Sequence, residues 1–322
     1  KHGIAFHEKH KGQLFADRSA QDIVRMLLDA CALAGVQRWQ PCTIETIEAE
    51  AASAPRSGPS RYRLHTSQGL VQAHNLVVAT GGLSIPKIGA TDFGYRIAKQ
   101  FGLPIVAQRP GLVPLRFAGE DWAPYADLAG VALPVRISTG EKKAAIAFHE
   151  DLLFTHRGLS GPAILQISSY WQPGQPLVIN LLPHLDIAAA LQEAKASSKK
   201  QLPNLLAQWL PTRLAEAWCQ HTPAWQGPVN QCSDKALAQL AHSLSHWQIT
   251  PSGTAGYAKA EVTLGGVDTQ ALAQQSMQAK QQPGLFFIGE VVDITGWLGG
   301  YNFQWAWASA YVCAQALQAA SA

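Results

Sequence analysis

Two short motifs near the end of the chain combine residue types that can hold an anionic or electron-rich ligand. The first, P-G-L-F-F-I-G-E over residues 283–290, predicts a buried strand that ends in Gly289 and Glu290. The second, G-G-Y-N-F-Q over residues 299–304, predicts a glycine-rich turn that opens a helix over residues 302–320. Glycines let the backbone approach a ligand closely, and the free N–H groups of a helix start attract negative charge. The two motifs therefore predict a ligand site.

A flavin needs a site that attracts negative charge at two places: at its phosphates and at the N1/C2=O edge of its reduced ring. The helix start would stabilise the negative charge that develops at that edge. Glu290 either holds the ribityl hydroxyls or organises a phosphate-binding turn, and Asp293 has the same options; a helix cap or a surface ion pair is the simpler alternative for both. Asn302 is assigned to the catalytic residues, although it and Gln304 could equally cap the helix. The residues expected to bind the cofactor here are Gly289, Glu290, Asp293, Gly299, Gly300, Tyr301, Asn302, Phe303 and Gln304.

Another glycine turn lies in the first third of the chain. Residues 75–82 read N-L-V-V-A-T-G-G, which predicts a buried strand followed by a turn. In flavoproteins such a turn brings backbone to the ADP half of FAD, although any α/β turn can use this sequence. The residues expected to bind the cofactor in this turn are Ala79, Thr80, Gly81 and Gly82.

A loop in the middle of the chain carries the residues expected on the substrate side. Residues 154–162 read F-T-H-R-G-L-S-G-P, in which Ser160 or Gly161 precedes a helix that starts with Pro162. His156 is the candidate catalytic proton donor, and the simpler alternative is a strand-to-helix loop whose His and Arg are surface residues. A serine hydrolase is not supported, because the sequence contains no G-x-S-x-G elbow. The predicted substrate-side residues are Thr155, His156, Arg157 and Ser160.

Hydrophobic patterns divide the chain into a core in two parts and an insertion between them. Residues 1–108 and 256–322 carry buried-strand and glycine patterns, whereas 109–185 is β-rich and 186–255 is mainly helical. In the first part a helix is expected over 19–34, with Ser19 as its N-cap. The strands expected in the first part lie at 36–49, 62–66, 70–74 and 75–82. The strands expected in the insertion lie at 113–117, 131–138, 144–149 and 151–154.

Composition narrows the class of protein. The 322 residues are 47% hydrophobic and 15% charged, which supports a packed core and gives little sign of disorder. The longest apolar runs are far too short to span a membrane. The five cysteines form no C-x-x-C pair and no zinc spacing, so free thiols in a cytoplasmic protein are expected. The net charge of +3 is too small to argue for nucleic-acid binding and does not exclude it.

Several motifs taken together resemble the bacterial BaiN/YhiN-like flavoprotein family. The late motifs are T-A-G-Y at 254–257, E-V-T-L-G-G-V at 261–267 and G-W-L-G-G-Y-N-F-Q-W-A-W at 296–307. The early motifs are G-Q-L-F at 12–15, A-T-G-G at 79–82 and the loop at 154–162. The resemblance runs in order along essentially the whole chain. It implies an α/β fold, namely an FAD-binding Rossmann-like core of the two-dinucleotide-binding-domain type, interrupted by an insertion with a β-barrel-like part and a helical part.

The resemblance also implies flavin chemistry. Family members are FAD-dependent, NAD(P)H-type oxidoreductases, linked to reduction of a conjugated C=C bond in steroid-like acids, to aminoacetone oxidation and to reduction of a uridine in ribosomal RNA. The first βαβ unit of the family carries a G-x-G-x-x-G phosphate loop, and no such motif occurs in these residues. Further residues expected to bind FAD are Gln13, Phe15, Thr43 and Ile44.

Three functional hypotheses follow. The leading one is an FAD-dependent, NAD(P)H-linked oxidoreductase that transfers hydride through flavin N5 to or from a small molecule, by C=C reduction or amine oxidation. The second is a flavin-dependent RNA uridine reductase, which requires a basic face. The third is a chain that cannot bind FAD alone and is not catalytic, because the first βαβ unit is missing. The cations available for a basic face include Lys9, Lys11, Arg18, Arg109, Lys142, Lys143 and Arg157.

Overall fold

The computed structural model of the chain describes residues 2–9, 12–49, 61–140 and 145–321. Residues 51–60, whose small side chains, prolines, glycine and serines predict a loop, lie outside these residues, as do Lys11, Lys142 and Lys143. The described residues form a mixed α/β structure, which confirms the expected fold class.

The helices and strands are numbered along the chain. The strands are β1 (Phe6–Glu8), β2 (Leu14–Ala16), β3 (Ile44–Ala49), β4 (Tyr62–Thr66), β5 (Gly69–Ala73), β6 (Leu76–Val78), β7 (Ile105–Gly111), β8 (Leu115–Arg116), β9 (Ala132–Thr139), β10 (Ile146–Thr155), β11 (Gly158–Ser160), β12 (Leu177–Asn180), β13 (Trp247–Ile249), β14 (Gly253–Thr254), β15 (Val262–Val267), β16 (Leu272–Ala273), β17 (Gln278–Ala279) and β18 (Leu285–Phe287). The α-helices are α1 (Gln21–Leu33), α2 (Phe93–Gln100), α3 (Gly119–Trp122), α4 (Pro162–Ser168), α5 (Ile187–Ser197), α6 (Leu202–Leu206), α7 (Thr212–Gln220), α8 (Asp234–Ser245) and α9 (Tyr301–Ser321).

The parallel pairing of β6 with β18 decides where the two glycine turns lie. In a four-stranded sheet of order β16-β17-β18-β6, Leu285 lies opposite Leu76 and Phe287 opposite Val78. The N–H of Ile288 then donates to the carbonyl of Val78 at 3.1 Å. Because both strands run in the same direction, the turns that follow them meet at one edge of the sheet.

A seven-stranded antiparallel sheet forms the β part of the insertion, in the order β13-β12-β9-β10-β11-β8-β14. Its two end strands, β13 and β14, are separated in the chain only by residues 250–252. The four Cα–Cα steps from Ile249 to Gly253 span at most about 14 Å, so the sheet must curl until its two edges approach each other. This curling produces the barrel-like part.

Two hydrophobic cores lie in the described residues. The first is formed by residues between Leu115 and Trp247, where the curled sheet packs against α4 and against the helices α5 to α8. The second is formed by residues of β3, β4, β6, α2, β18 and α9, together with Val267, Val291 and Val292. Hydrogen bonds join the two, since Arg109 donates to the carbonyls of Ser169 and Trp171 at 2.7 and 3.3 Å.

Some expected elements differ from the observed ones. The strands expected at 144–149 and 151–154 are a single strand, β10, because β9 pairs with it without a break from Thr139 to Ala132. The strand expected over 36–49 begins only at Ile44. The buried strand expected over 75–82 is confined to residues 76–78, and Val77 in it is 36% exposed.

The first helix forms where the apolar spacing predicts it, but its cap and its packing differ. Ala20 occupies the N-cap, and the Ser19 hydroxyl instead accepts the N–H of Gln21 at 3.1 Å. None of the residues of α1 is buried among the described residues, and Leu33 is 90% exposed. Within the described residues, every helix is too short or too polar to cross a lipid bilayer.

Candidate functional site

A cavity of about 510 Å³ lies at the edge where the two glycine turns meet the start of α9. This volume is within the range of roughly 300–1,000 Å³ that is usual for small-molecule and cofactor sites. Its walls are mainly apolar, and its polar groups come from backbone, two glutamates and one asparagine. The lining residues are Ala79, Gly81, Ile85, Leu112, Glu261, Val262, Ile288, Gly289, Glu290, Ile294, Trp297, Leu298, Gly299, Gly300, Asn302, Phe303, Trp305 and Ala306.

The start of α9 presents unpaired backbone N–H groups to this cavity. The first bond that closes a turn of the helix runs from the N–H of Gln304 to the carbonyl of Gly300, at 2.9 Å. The N–H groups of the three residues before Gln304 therefore have no acceptor within the helix. Gly299 and Gly300 enter the helix with φ of 115° and 90°, which side chains rarely allow, and both line the cavity. This arrangement favours a ligand that carries negative charge.

Glu290 joins the two glycine turns to a third segment. Its Oε1 accepts the N–H of Thr263 at 2.6 Å, and the carboxylate also accepts the N–H of Gly82. Burial raises the pKa of the Glu290 carboxyl, and the two N–H donors offset part of that rise. These contacts match the expected role of organising a glycine turn.

Thr263 is a residue of the site that sequence reasoning did not select. Its side chain is almost completely buried, and its hydroxyl accepts the N–H of Leu83 at 2.7 Å. Ser84 lies within hydrogen-bond distance of the same hydroxyl, at 3.2 Å. The motif E-V-T-L-G-G-V could have identified Thr263, because a threonine between apolar strand residues needs hydrogen-bond partners when it is buried.

Residues of α9 hold the turn after β18 in place. The N–H of Gly289 donates to Ser309 Oγ at 2.9 Å, and Trp305 Nε1 donates to the carbonyl of Gly289 at 3.0 Å. Both polar atoms of the Asn302 side chain engage Gly296, because Oδ1 accepts its N–H at 2.8 Å and Nδ2 donates to its carbonyl at 3.1 Å. These bonds show that the Asn302 side chain holds the loop over residues 296–300, and its assignment to the catalytic residues stays a prediction.

The insertion supplies the other support of the glycine loop over residues 296–300. Trp297 Nε1 donates to the hydroxyl of Tyr170 at 2.5 Å, and its ring meets Phe148 edge-on with centroids 5.3 Å apart. The next N–H, that of Leu298, donates to Gln166 Oε1 at 3.3 Å. The cavity is therefore closed on one side by a contact between the Rossmann-like core and the insertion.

Comparison with known proteins agrees with this geometry. A family profile described as HI0933-like protein Rossmann domain matches residues 1–316. The chain belongs to the HI0933-like Rossmann family. The resemblance to BaiN/YhiN-like flavoproteins is thereby confirmed at the level of this wider family, and this HI0933-like chain is a flavin-dependent oxidoreductase.

Three relatives of the HI0933-like chain carry functional names. It is 48% identical over 321 residues to a ribosomal RNA dihydrouridine synthase of Escherichia coli (strain K12), covering 99% of this chain and 78% of the relative. It is 45% identical over 316 residues to the protein of the same name from Haemophilus influenzae, covering 97% and 76%. It is 25% identical over 257 residues to a 3-dehydro-bile acid delta(4,6)-reductase of Clostridium scindens, covering 76% and 62%.

The residues of this HI0933-like chain fit the FAD that the family suggests. Gly81 and Gly289 line the cavity with φ of 71° and 72°, and a Cβ atom at either position would point into open space. Backbone at both turns can therefore approach a ligand without obstruction by side chains. The N–H groups at the start of α9 are suited to hold the electron-rich ring edge.

Other predicted cofactor residues lie away from the cavity lining. Asp293 accepts the N–H of Gly265, and burial raises the pKa of its carboxyl. Gln304 is exposed on α9, whereas Tyr301 forms its first turn with an exposed ring. Thr80 and Gly82 adjoin the cavity through the turn that they share with Gly81. Four residues of the early segments, which do not line the cavity, are Gln13, Phe15, Thr43 and Ile44.

The loop expected on the substrate side lines a different cavity. Thr155 shapes the turn, since its hydroxyl donates to the carbonyl of Gly158 at 2.8 Å, and Gly161 is the N-cap of α4 as predicted. His156 and Arg157 line a cavity of about 260 Å³ together with Arg116. The proposed proton donor His156 is therefore not part of the lining of the larger cavity.

The cations nominated for a basic face have various partners. Arg18 pairs with Asp22 at 3.3 Å, and Lys9 lies over the ring of Phe15, 4.1 Å from its centroid. Arg109 is held by two backbone carbonyls, and burial lowers the pKa of its guanidinium. Each of these three cations thus has a partner within the chain, whereas Arg157 and Arg116 line one cavity.

Proposed function

We propose that this chain reduces a uridine of ribosomal RNA to dihydrouridine, with FAD as hydride carrier and NAD(P)H as reductant. The observation that carries the proposal is the 48% identity, over 99% of this chain, to a relative whose name states this product. The bile-acid reductase shares 25% identity, so it supports C=C reduction as the reaction class and is a weaker guide to the substrate. The cavity at the start of α9 is the proposed place of reaction.

The reaction divides into a hydride and a proton. Bound FAD would supply a hydride to C6 of the uracil ring, and C5 would then need a proton from the protein. The N–H groups at the start of α9 stabilise negative charge in the cavity. The chain must also provide a proton donor that faces the same cavity.

Glu261 meets this requirement. The lining contains two carboxyl side chains, Glu261 and Glu290, and Glu290 is engaged by two backbone N–H donors. The Glu261 carboxyl has no hydrogen bond or ion pair with the described residues, so its oxygens are available to a substrate. Partial burial in the cavity wall raises the pKa of this carboxyl, although the residue as a whole is exposed, so at a given pH its protonated fraction is larger than that of a fully solvated glutamate.

The function is tested with ribosomal RNA from cells that lack this modification. We expect protein supplied with FAD and NADPH or NADH to add two hydrogen atoms to one uridine, as detected by mass spectrometry of nucleosides. Full flavin reduction with no change in the RNA, combined with reduction of a steroid-like enone, would favour the small-molecule hypothesis. Failure to retain FAD would favour the non-catalytic one.

The role of Glu261 is tested by the variant Glu261→Gln. The acid must be protonated to act, so the wild-type rate should be constant below the raised pKa and fall about tenfold per pH unit above it. Glu261→Gln should lose roughly 10²–10⁴-fold in rate and lose this pH dependence. Single-turnover rates over a pH series measure both effects.

A matched control is Glu193→Gln, at an exposed position on α5. It should behave as wild type. The ionised form of Glu261 is the disfavoured one in the folded chain, so Glu261→Gln should not lower the melting temperature at neutral pH. An unchanged rate and pH profile in Glu261→Gln would refute the assignment.

A further inference from the structure

A second cavity, of about 260 Å³, lies on the insertion and is lined by charged and aromatic side chains. It contains no acidic lining residue, although Glu120 and Asp121 belong to the adjacent helix α3. Its lining residues are Arg116, Phe117, Gly119, Trp122, Ala123, Ala126, His156 and Arg157.

The aromatic side of this second cavity is rigid. Phe117 and Trp122 are buried and stack with ring centroids 4.9 Å apart and an interplanar angle of 16°. Trp122 Nε1 donates to the carbonyl of Thr155 at 3.0 Å. That bond holds the turn that carries His156 and Arg157, so the aromatic pair and the basic turn form one preorganised unit.

Two arginines converge on the cavity without a charge partner. Strand pairing places Gly158 opposite Arg116, which brings Arg157 next to it. Among the described residues neither guanidinium has a hydrogen bond or ion pair, whereas Arg213 nearby donates to the carbonyls of Asp127 and Ala129. Two like charges beside one cavity repel each other, and a bound anion would relieve that repulsion.

We propose that this cavity binds a phosphate group of the RNA strand whose uridine enters the larger cavity; the inference rests on the proposed function. The planar fork of arginine matches phosphate oxygens in pairs, and the cavity is of a size for a phosphate with its ribose. Leu112, which lines the larger cavity, precedes Arg116 by four residues. Their Cα atoms are therefore at most about 14 Å apart, within reach of one strand.

Charge reversal tests the proposal. The variants Arg116→Glu and Arg157→Glu should each weaken binding of a ribosomal RNA fragment about tenfold, as measured by fluorescence anisotropy. Across a potassium chloride series, each should reduce the slope of log K against log salt by about 1. The neutral variants Arg116→Gln and Arg157→Gln should each lose less RNA affinity than the glutamate variant at the same position. Flavin content reports whether each variant is folded.

The matched control is Arg136→Glu, at an exposed position on β9 outside both cavities. It should bind RNA as wild type does. If all four variants bind RNA with wild-type affinity and salt slope, the inference is overturned while uridine reduction by the wild type still stands. If the wild type neither binds nor modifies ribosomal RNA, the proposed function fails and the inference fails with it.

Discussion

Glu290 shows how one partly buried carboxylate can organise the backbone around a cavity that it also lines. Its oxygens accept backbone N–H groups from Thr263 and Gly82, which belong to segments 181 residues apart in the chain. A buried N–H group left without an acceptor costs about 1–3 kcal/mol, so this carboxylate stabilises both segments at once. The site is therefore most sensitive to changes in the backbone around Glu290.

Gly82 gives a prediction at the residue scale. Its φ is ordinary, but a Cβ atom would lie 2.5 Å from Thr263 Oγ1 and 2.7 Å from Thr263 Cβ. Gly82→Ala should therefore cost about 1–3 kcal/mol of stability through overpacking, and it should weaken flavin binding by displacing the turn. Chemical denaturation and flavin titration measure the two effects.

Gly227→Ala is the control for that change. A Cβ atom there meets nothing within 4 Å, and the φ of Gly227 is also ordinary. Its stability should stay within about 0.5 kcal/mol of the wild type. Equal losses in the two variants would show that the contact with Thr263 is not the cause.

At the scale of elements, α9 contacts the larger cavity, the turn after β18 and, through the loop before it, the insertion. Its first turn lines the larger cavity, and Ser309 in its third turn accepts the N–H of Gly289. In the loop before it, Trp297 donates a hydrogen bond to Tyr170 of the insertion. The helix thus connects the ligand cavity to both cores. A structural change in residues 296–300 should therefore alter the shape of the cavity more than it alters the packing of either core.

Asn302 gives the prediction at this scale. Asn302→Ala removes two hydrogen bonds to Gly296 and should cost about 1–3 kcal/mol, with faster hydrogen exchange confined to residues 296–300. Asn302→Asp keeps the acceptor for the N–H of Gly296 and should lose less. If the aspartate variant exchanges as fast as the alanine variant, the paired bonds do not hold this loop.

At the scale of the whole molecule, the described residues contain two separate hydrophobic cores. Ser168 and Ser169 accept the N–H groups of Val113 and Leu112 at 3.0 and 3.3 Å, next to the bonds of Arg109. Because each core has its own buried cluster, we expect each to open as a separate unit.

Ile164 and Leu285, both fully buried, test that separation. Ile164→Ala should cost about 2–5 kcal/mol and reduce amide protection in α4, β9 and β10 while β18 stays protected. Leu285→Ala should do the reverse. Native-state hydrogen exchange distinguishes this outcome from a uniform loss of protection, which would indicate one cooperative unit.

The sequence by itself determined the class of elements and the kind of ligand. The apolar run of β18 and the glycines before α9 are local signals, since periodicity and backbone freedom act over a few residues. Predictions of features that depend on residues far away in the sequence were less accurate. The length of β10 is set by its pairing with β9, and the exposure of Val77 is set by its place at the edge of a sheet.

Only the tertiary structure decided which polar groups share a cavity. Glu261 lines the cavity and Thr263 supports the glycine turn because β15 is brought to the turn after β18, and no pattern within β15 encodes that approach. His156 lines the second cavity, whereas Asn302 lines the larger one and also holds the loop over residues 296–300 through its side chain. The glycine turns could be predicted from local sequence, but hydrogen-bond partners are a property of long-range packing, so only the fold decides which polar groups meet at the cavity.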